Sequence, residues 1–574
     1  MFGLILLPRS KALLAGMMAA AVGCVSVRAS LSRFDEPREL TADQQVKQAF
    51  NRLTFGPQPG DLATVNAKDL DQWLVEQLDP RLIVDTRADS VLAHFVTQQR
   101  SVSELADSFP AQDIYIRELR KQRSIRVGDP FSFTPDDSAR FKALNDRGNH
   151  LAQQIVAAKV ARAVFSRRQL LEVMTDFWEN HFSVYSGKMP TRFSLLEYDR
   201  DVVRPHALGK FRDLLGAIAK SPEMLYYLDN WQSQADSLHM NLAELRALGL
   251  AKSDGDSSRI RAGTRRRRQG INENYGRELL ELHTLGVDGG YSQRDIIDVA
   301  RAFTGWTIND PRAGGGFVFR PAMHDAEGKR VLGRDLPAGR GLEDGEEVLD
   351  IVSRNPATAR FIATKLVRHF VSDAPPPSLV TRAANTFIRT DGDIRQVMIT
   401  IATSQEFYSR ANYRRKVKEP LELVVSTLRA LGADPDSTGR SAQLAAGLGQ
   451  PIFGRFTPDG WPDNSEAWIN AGSMLNRINF GAAAANGRVP GISLKRWRPA
   501  SILLKLPFAE QVDGVVESVL EGEASPETRQ VLNEETNPIA PSNKSGEKAH
   551  ASTPIANLSV LVGLALGAPE FQHR

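Results

Sequence analysis

Apolar residues recur at intervals of three and four along most of the chain, the spacing of one helix face, while strict two-residue alternation is rare. Local start and stop signals delimit several of these helices. Ser221-Pro222 sets an N-cap and a first-turn proline before Glu223 to Leu228. Ser292-Gln293-Arg294-Asp295 is a capping box that opens a helix to Phe303, stopped at Gly305. Asn355-Pro356 opens Ala357 to Phe370, and Asp393 opens Ile394 to Ala402. The one clear β signal, Phe317-Val318-Phe319 with Arg330-Val331-Leu332, predicts a short hairpin around a turn near Asp325 to Gly328. The pattern therefore predicts a mainly α protein, with a large multi-helix domain over residues 44–574 and a small β-hairpin insertion.

Composition narrows the class. The 574 residues are 42% hydrophobic and 24% charged, ample for a buried core, with no long apolar run past residue 30. Collagen-like, wholly disordered and multi-span membrane classes drop out. The first 29 residues read as an export signal: basic Arg9 and Lys11, an apolar stretch from Ala12 to Val27, and Val27-Arg28-Ala29 as a cleavage site before Ser30. Cys24, after Ala21-Val22-Gly23, offers the alternative of a lipidated terminus, the one route to a membrane. Residues 30–43 read as a linker. Cys24 is the only cysteine, so disulfides, Cys-zinc sites and thiol catalysis are excluded from the mature chain. Residues 252–270 and 522–554 are polar and read as flexible insertions. The first holds Arg259, Arg261, Arg265, Arg266, Arg267 and Arg268, and without that run the exported body is acidic, which argues against a nucleic-acid partner.

The densest chemistry lies in Asn272 to Gly286. On a regular helix Asn274, Glu278 and Glu281 fall within one wedge beside an apolar stripe of Tyr275, Leu279 and Leu282, so the carboxylates sit at the edge of the core. Glu278 and Glu281, three apart, are neighbours able to share an ion or act as acid and base, whereas His283 points away. The structural alternative is an ion-pair ladder from Glu273 through Arg277 to Glu281. A second helix, Thr175 to Phe182, puts Asp176 and Asn180 on one face, with His181 beside them as a ligand, a general base or a core histidine. Asp229 and Asn230 follow an apolar helix as caps or oxygen ligands. His324 precedes Asp325, whose place at a turn is explained by an Asx bond. Glu278, Glu281, His181 and Asp176 are thus the catalytic candidates. Asn180, Asp229, Asn230, Asn272, Asn274, Arg277 and Asp459 are candidate binding residues. If His181, Glu278, Glu281 and His324 converge, they make a mixed nitrogen and carboxylate site for a divalent metal such as Zn, Mn or Fe. The chain lacks a Walker-A loop, a Gly-x-Ser-x-Gly elbow, a His-Glu-x-x-His motif and a dinucleotide fingerprint.

Seven segments together carry a resemblance: Arg52 to Pro57, Asp176 to Val184, Tyr227 to Ser233, Asn272 to Gly286, His324-Asp325, Asn355 to Phe370, and Thr457-Pro458-Asp459-Gly460-Trp461-Pro462-Asp463. From about Gln44 onward the chain resembles the bacterial family catalogued as domain of unknown function 1800. The resemblance implies an exported, mostly helical protein, commonly encoded beside a sulfatase-like exported family, domain of unknown function 1501, and it implies no reaction. Two function classes stay open. One is an envelope-associated binding or assembly protein acting with such an exported partner, secreted or periplasmic. The other is a metal-assisted hydrolase of an extracellular polymer or ester.

Overall fold

This computed structural model describes residues 38–574 except 67, 102, 106–111, 127–128, 189–190, 237–238, 250–269, 310–314, 435, 437 and 535–553. The expected export signal and nearly all of the arginine-rich insertion lie outside the described residues. Helices dominate, as the periodicity predicts, and one continuous hydrophobic core runs from Leu40 to Phe571. The capping signals act where they stand. Ser221 accepts from the Met224 amide to start Pro222–Tyr227, Ser292 from Asp295 to start Gln293–Ala302, Asn355 from Ala357 to start Pro356–Phe370, and Asp393 from Gln396 to start Ile394–Ala402.

Three local expectations are corrected. The expected single hairpin is two. Strand β1 (Trp306–Ile308) pairs antiparallel with β2 (Phe317–Phe319), and β3 (Lys329–Val331) pairs with β4 (Arg334–Leu336). The second closes through Leu332 and Gly333, both at positive φ (50° and 83°), the backbone of a tight two-residue hairpin turn that satisfies β3 locally. The helix after Asn272 is also irregular: α-helical over Glu273–Glu278, it widens to a π-helix over Leu279–Thr284. Finally, the described parts of the expected linker 30–43 and of the 522–554 insertion are partly ordered. Arg38 lies over the Tyr408 ring, Leu40 is buried, and Ala42 opens helix Ala42–Leu53. Pro526–Asn533 forms a helix capped by Ser525.

Three helices frame the site. Pro135–Phe165 buries its C-terminal third, Ile155 through Phe165 almost without a break, against Gln169–His181, which inserts Trp178 and Phe177 into the core. On the other side Pro356–Phe370 buries Ile362, Leu366 and Phe370 completely.

Candidate functional site

A cavity of about 260 Å³ opens between helix Gln169–His181, the end of helix Pro356–Phe370, Glu419 before helix Pro420–Ala430, and the loop from Gln450 to Asp463. Asp176, Glu179 and Asn180, at helical spacings of three and four, present one face to it. Lys159, reaching in from helix Pro135–Phe165, pairs with Asp176 Oδ1 at 2.6 Å and bonds to Glu179 Oε2. Burial alone would push the Lys159 ammonium down, but the Asp176 and Glu179 carboxylates hold it charged, above the usual lysine range. Glu179 is also raised: burial pushes it up and Lys159 only partly pulls it back, while its Oε1 has no hydrogen-bond partner among the described residues.

Across the cavity stand His369, Glu419 and Asp463. Each offers a ligand atom, and the three atoms lie within 4.8 Å of one another. His369 comes from the last turn of helix Pro356–Phe370. Its Nδ1 lies 3.1 Å from Asp463 Oδ2, and its buried Nε2 has no hydrogen-bond partner among the described residues. Asp463 Oδ1 accepts from Lys416 at 3.0 Å, and His369 with Lys416 holds the carboxyl well below its usual range in spite of burial. Glu419 is the N-cap residue of Pro420–Ala430 and accepts from Gln450 at 2.6 Å. Burial, then the nearby Glu422 and Asp463 charges, push it well above the carboxyl range.

The loop that brings Asp459 and Asp463 to the cavity is clasped by one side chain. Asn180 donates through Nδ2 to the Trp461 carbonyl (3.0 Å) and accepts at Oδ1 from the Trp461 amide (2.7 Å). Gly460 lets the loop come this close: its φ is 76°, and a Cβ there would collide with the Asn180 carbonyl oxygen.

Four residues singled out from sequence line this cavity: Asp176, Asn180, His181 and Asp459. His181 is held as a neutral core histidine. Its Nε2 donates to the His283 carbonyl at 3.1 Å, and burial, then Lys365 and His283, drive its pKa well below normal. Asp459 is tied up at the rim by Arg455 (2.6 Å) and Thr457 (2.5 Å).

The expected metal set of His181, Glu278, Glu281 and His324 is not assembled. His324 is fully buried in a different polar knot, its Nδ1 donating to the Thr304 carbonyl (2.8 Å) and its Nε2 3.4 Å from Asp344. Beside it Asp325 accepts two bonds from Arg301 and, as an Asx turn, one from the Glu327 amide. Glu278 and Glu281 stay together, half-buried, and burial followed by Glu281 raises the Glu278 pKa. Glu281 accepts a long bond from the Tyr291 hydroxyl, at 3.4 Å. The ion-pair ladder is replaced by a relay in which Arg277 donates to Gln293 and Gln293 donates to Glu273. Asn272 caps its own helix and donates to Leu228, while Asn274 is exposed. Buried Asn230 donates to the Phe303 and Trp306 carbonyls, and Asp229, at φ 61°, pairs with Lys188 at 2.7 Å.

Sequence reasoning missed Lys159, Glu179, His369 and Glu419 and did not single out Asp463. The usable signals were slight: Glu179 one helical turn from Asp176, and a second aspartate in the Asp459 to Asp463 motif. Nothing local distinguishes His369, a histidine in the last turn of a helix.

A mostly helical body holding one deeply charged cavity is the class of protein these features define. The chain belongs to the family of proteins of unknown function DUF1800, whose model matches residues 48–573. No curated protein and no solved structure matches it. No helix among the described residues is long and apolar enough to cross a membrane.

Proposed function

We propose that this cavity is the reactive centre of a metal-assisted hydrolase of an ester or polymer outside the cytoplasm. The observation that supports it is the convergence of His369, Glu419 and Asp463 with a buried, unpartnered His369 Nε2. One nitrogen and two carboxylates suit Zn, Mn or Fe, and three protein ligands leave a coordination position open for water or substrate. A divalent ion there would acidify bound water and polarise the scissile bond. The chain's own groups supply the rest. Lys416 and Gln450 orient the two carboxylates, as supporting hydrogen bonds do in metal sites. Glu179, raised by burial, is suited to hold a proton and return it to a leaving group, and Lys159 fixes its orientation.

The experiment is metal analysis of the full chain after dialysis against Zn, Mn and Fe. About one equivalent is expected in the wild type and none in His369→Ala or Asp463→Asn, while Glu278→Gln, Glu281→Gln and His324→Gln keep the metal. A wild type that retains no metal refutes the hydrolase reading. The second reading, an envelope-associated binding or assembly protein acting with an exported partner, would then stand. It draws support from Phe456, 74% exposed beside the cavity and stacked edge-on against Tyr185.

A further inference from the structure

The hydrolytic reading leaves two cations of the same cavity without a role. Lys365 and Arg368 line it from helix Pro356–Phe370, one turn apart. Lys365 also lies four residues before His369, so the two side chains project from the same helix face. The other cations at the cavity are paired. Lys159 holds Asp176 and Glu179, Arg455 holds Asp459, and Lys416 with His369 holds Asp463. Lys365 and Arg368 make no ion pair and no side-chain hydrogen bond among the described residues. The Lys365 ammonium lies over the Phe361 ring, 5.7 Å from its centroid. Both side chains are only half-buried and open to the cavity. The Lys365 charge is felt inside: after burial itself, it is the leading influence keeping His181 neutral.

Their lack of close partners points to what they are for. Among the described residues no carboxylate lies within ion-pair distance of either cation, and Asp463 and Asp459 act on Lys365 only at longer range, so both side chains can meet an incoming anion. A guanidinium offers a planar fork to paired oxygens, and an ammonium offers a point charge; together they match a tetrahedral dianion better than a carboxylate. We propose that Lys365 and Arg368 clamp a phosphate monoester group of the substrate, within a helical turn of His369. What happens to the substrate there rests on the hydrolase reading, but the clamp itself needs no metal.

Calorimetry on the chelator-treated full chain tests the clamp by itself. Inorganic phosphate and phenyl phosphate are expected to bind near neutral pH, and acetate at least tenfold more weakly. Lys365→Met and Arg368→Gln should each weaken phosphate by roughly tenfold or more, the weight of one charge-assisted hydrogen bond. Lys365→Arg, which keeps charge and bulk, should retain binding and so separates loss of the clamp from loss of the fold. His369→Ala should abolish metal uptake and leave phosphate binding to the metal-free chain intact. A wild type that binds no phosphate, an affinity for acetate equal to that for phosphate, or phosphate binding untouched by both substitutions overturns the clamp whatever the metal analysis gives.

Discussion

Lys159→Met is the most informative single change, because it removes one cation from between two carboxylates. The Lys159 side chain is 10% exposed and Glu179 2%, so little water remains to take over. At an effective dielectric of ~20, opposite unit charges 2.6 Å apart attract by about 6 kcal/mol, and Lys159 has two such partners. Several kcal/mol of desolvation per ion stand against that gain, so the intact cluster contributes little net stability. Removing only the cation is different, since Asp176 and Glu179 then repel each other in a low-dielectric site. A loss of about 3–5 kcal/mol is expected. Because the folded Lys159 pKa is raised, its contribution is fully present below the ordinary lysine value of 10.5 and disappears as pH rises through the folded value. The penalty in Lys159→Met should shrink as pH falls, because a protonated Glu179 no longer needs the cation. Urea melts at pH 5 and pH 8, read as midpoint shifts at constant m, measure this. Lys159→Met/Glu179→Gln should recover most of the loss. A single-mutant cost under ~1 kcal/mol, or a double mutant as weak as the sum of the singles, would refute the buried-cluster argument.

Two further outcomes follow from the same geometry. Gly460→Ala should cost roughly 2 kcal/mol or more, from a left-handed backbone and the collision with the Asn180 carbonyl, and should weaken metal retention by displacing Asp463; an unchanged melt and metal content would show that the clasp is loose. Glu223 is fully buried and burial pushes its pKa up to about 7 from 4.5, so the folded state keeps a proton that the unfolded chain releases, and stability falls as pH rises between those values. Glu223→Gln should therefore be nearly neutral below pH 4.5 and stabilising by on the order of 3 kcal/mol at pH 8; equal effects at both, read from thermal melts, would sink this.

Sequence conveyed the parts of this molecule that are decided within a few residues. Ser221, Ser292, Asn355 and Asp393 cap helices because a cap bonds two or three positions ahead, a distance the chain itself determines. The pairing of the hairpins is not legible because β1 is only three residues long, too short for alternation to register, which leaves Arg330 to Leu332 as the one visible partner for Phe317–Phe319. Glu278 and Glu281 drew attention for their local density, yet a 3.6-residue wheel does not describe Leu279–Thr284, where the backbone runs as a π-helix. The Asp176 to His181 face was legible because three-and-four spacing defines a face. The opposite wall was not: His369 and Asp463 meet across 94 positions of sequence, and only the packed core brings them together.

The Asn180 clasp has a kinetic side. Its amide meets the Trp461 backbone across 281 residues, so the cavity has no floor and roof in common until nearly half the chain has been looped back. Closing such a loop costs only slightly more entropy than closing one half as long, but nothing repays that cost before the intervening helices are packed. The cavity is thus expected to mature late, after both of its walls have folded. An emerging or partly folded chain would carry each half of the charged cluster separately, and the concentrated charge of the cavity would arise only with the finished fold.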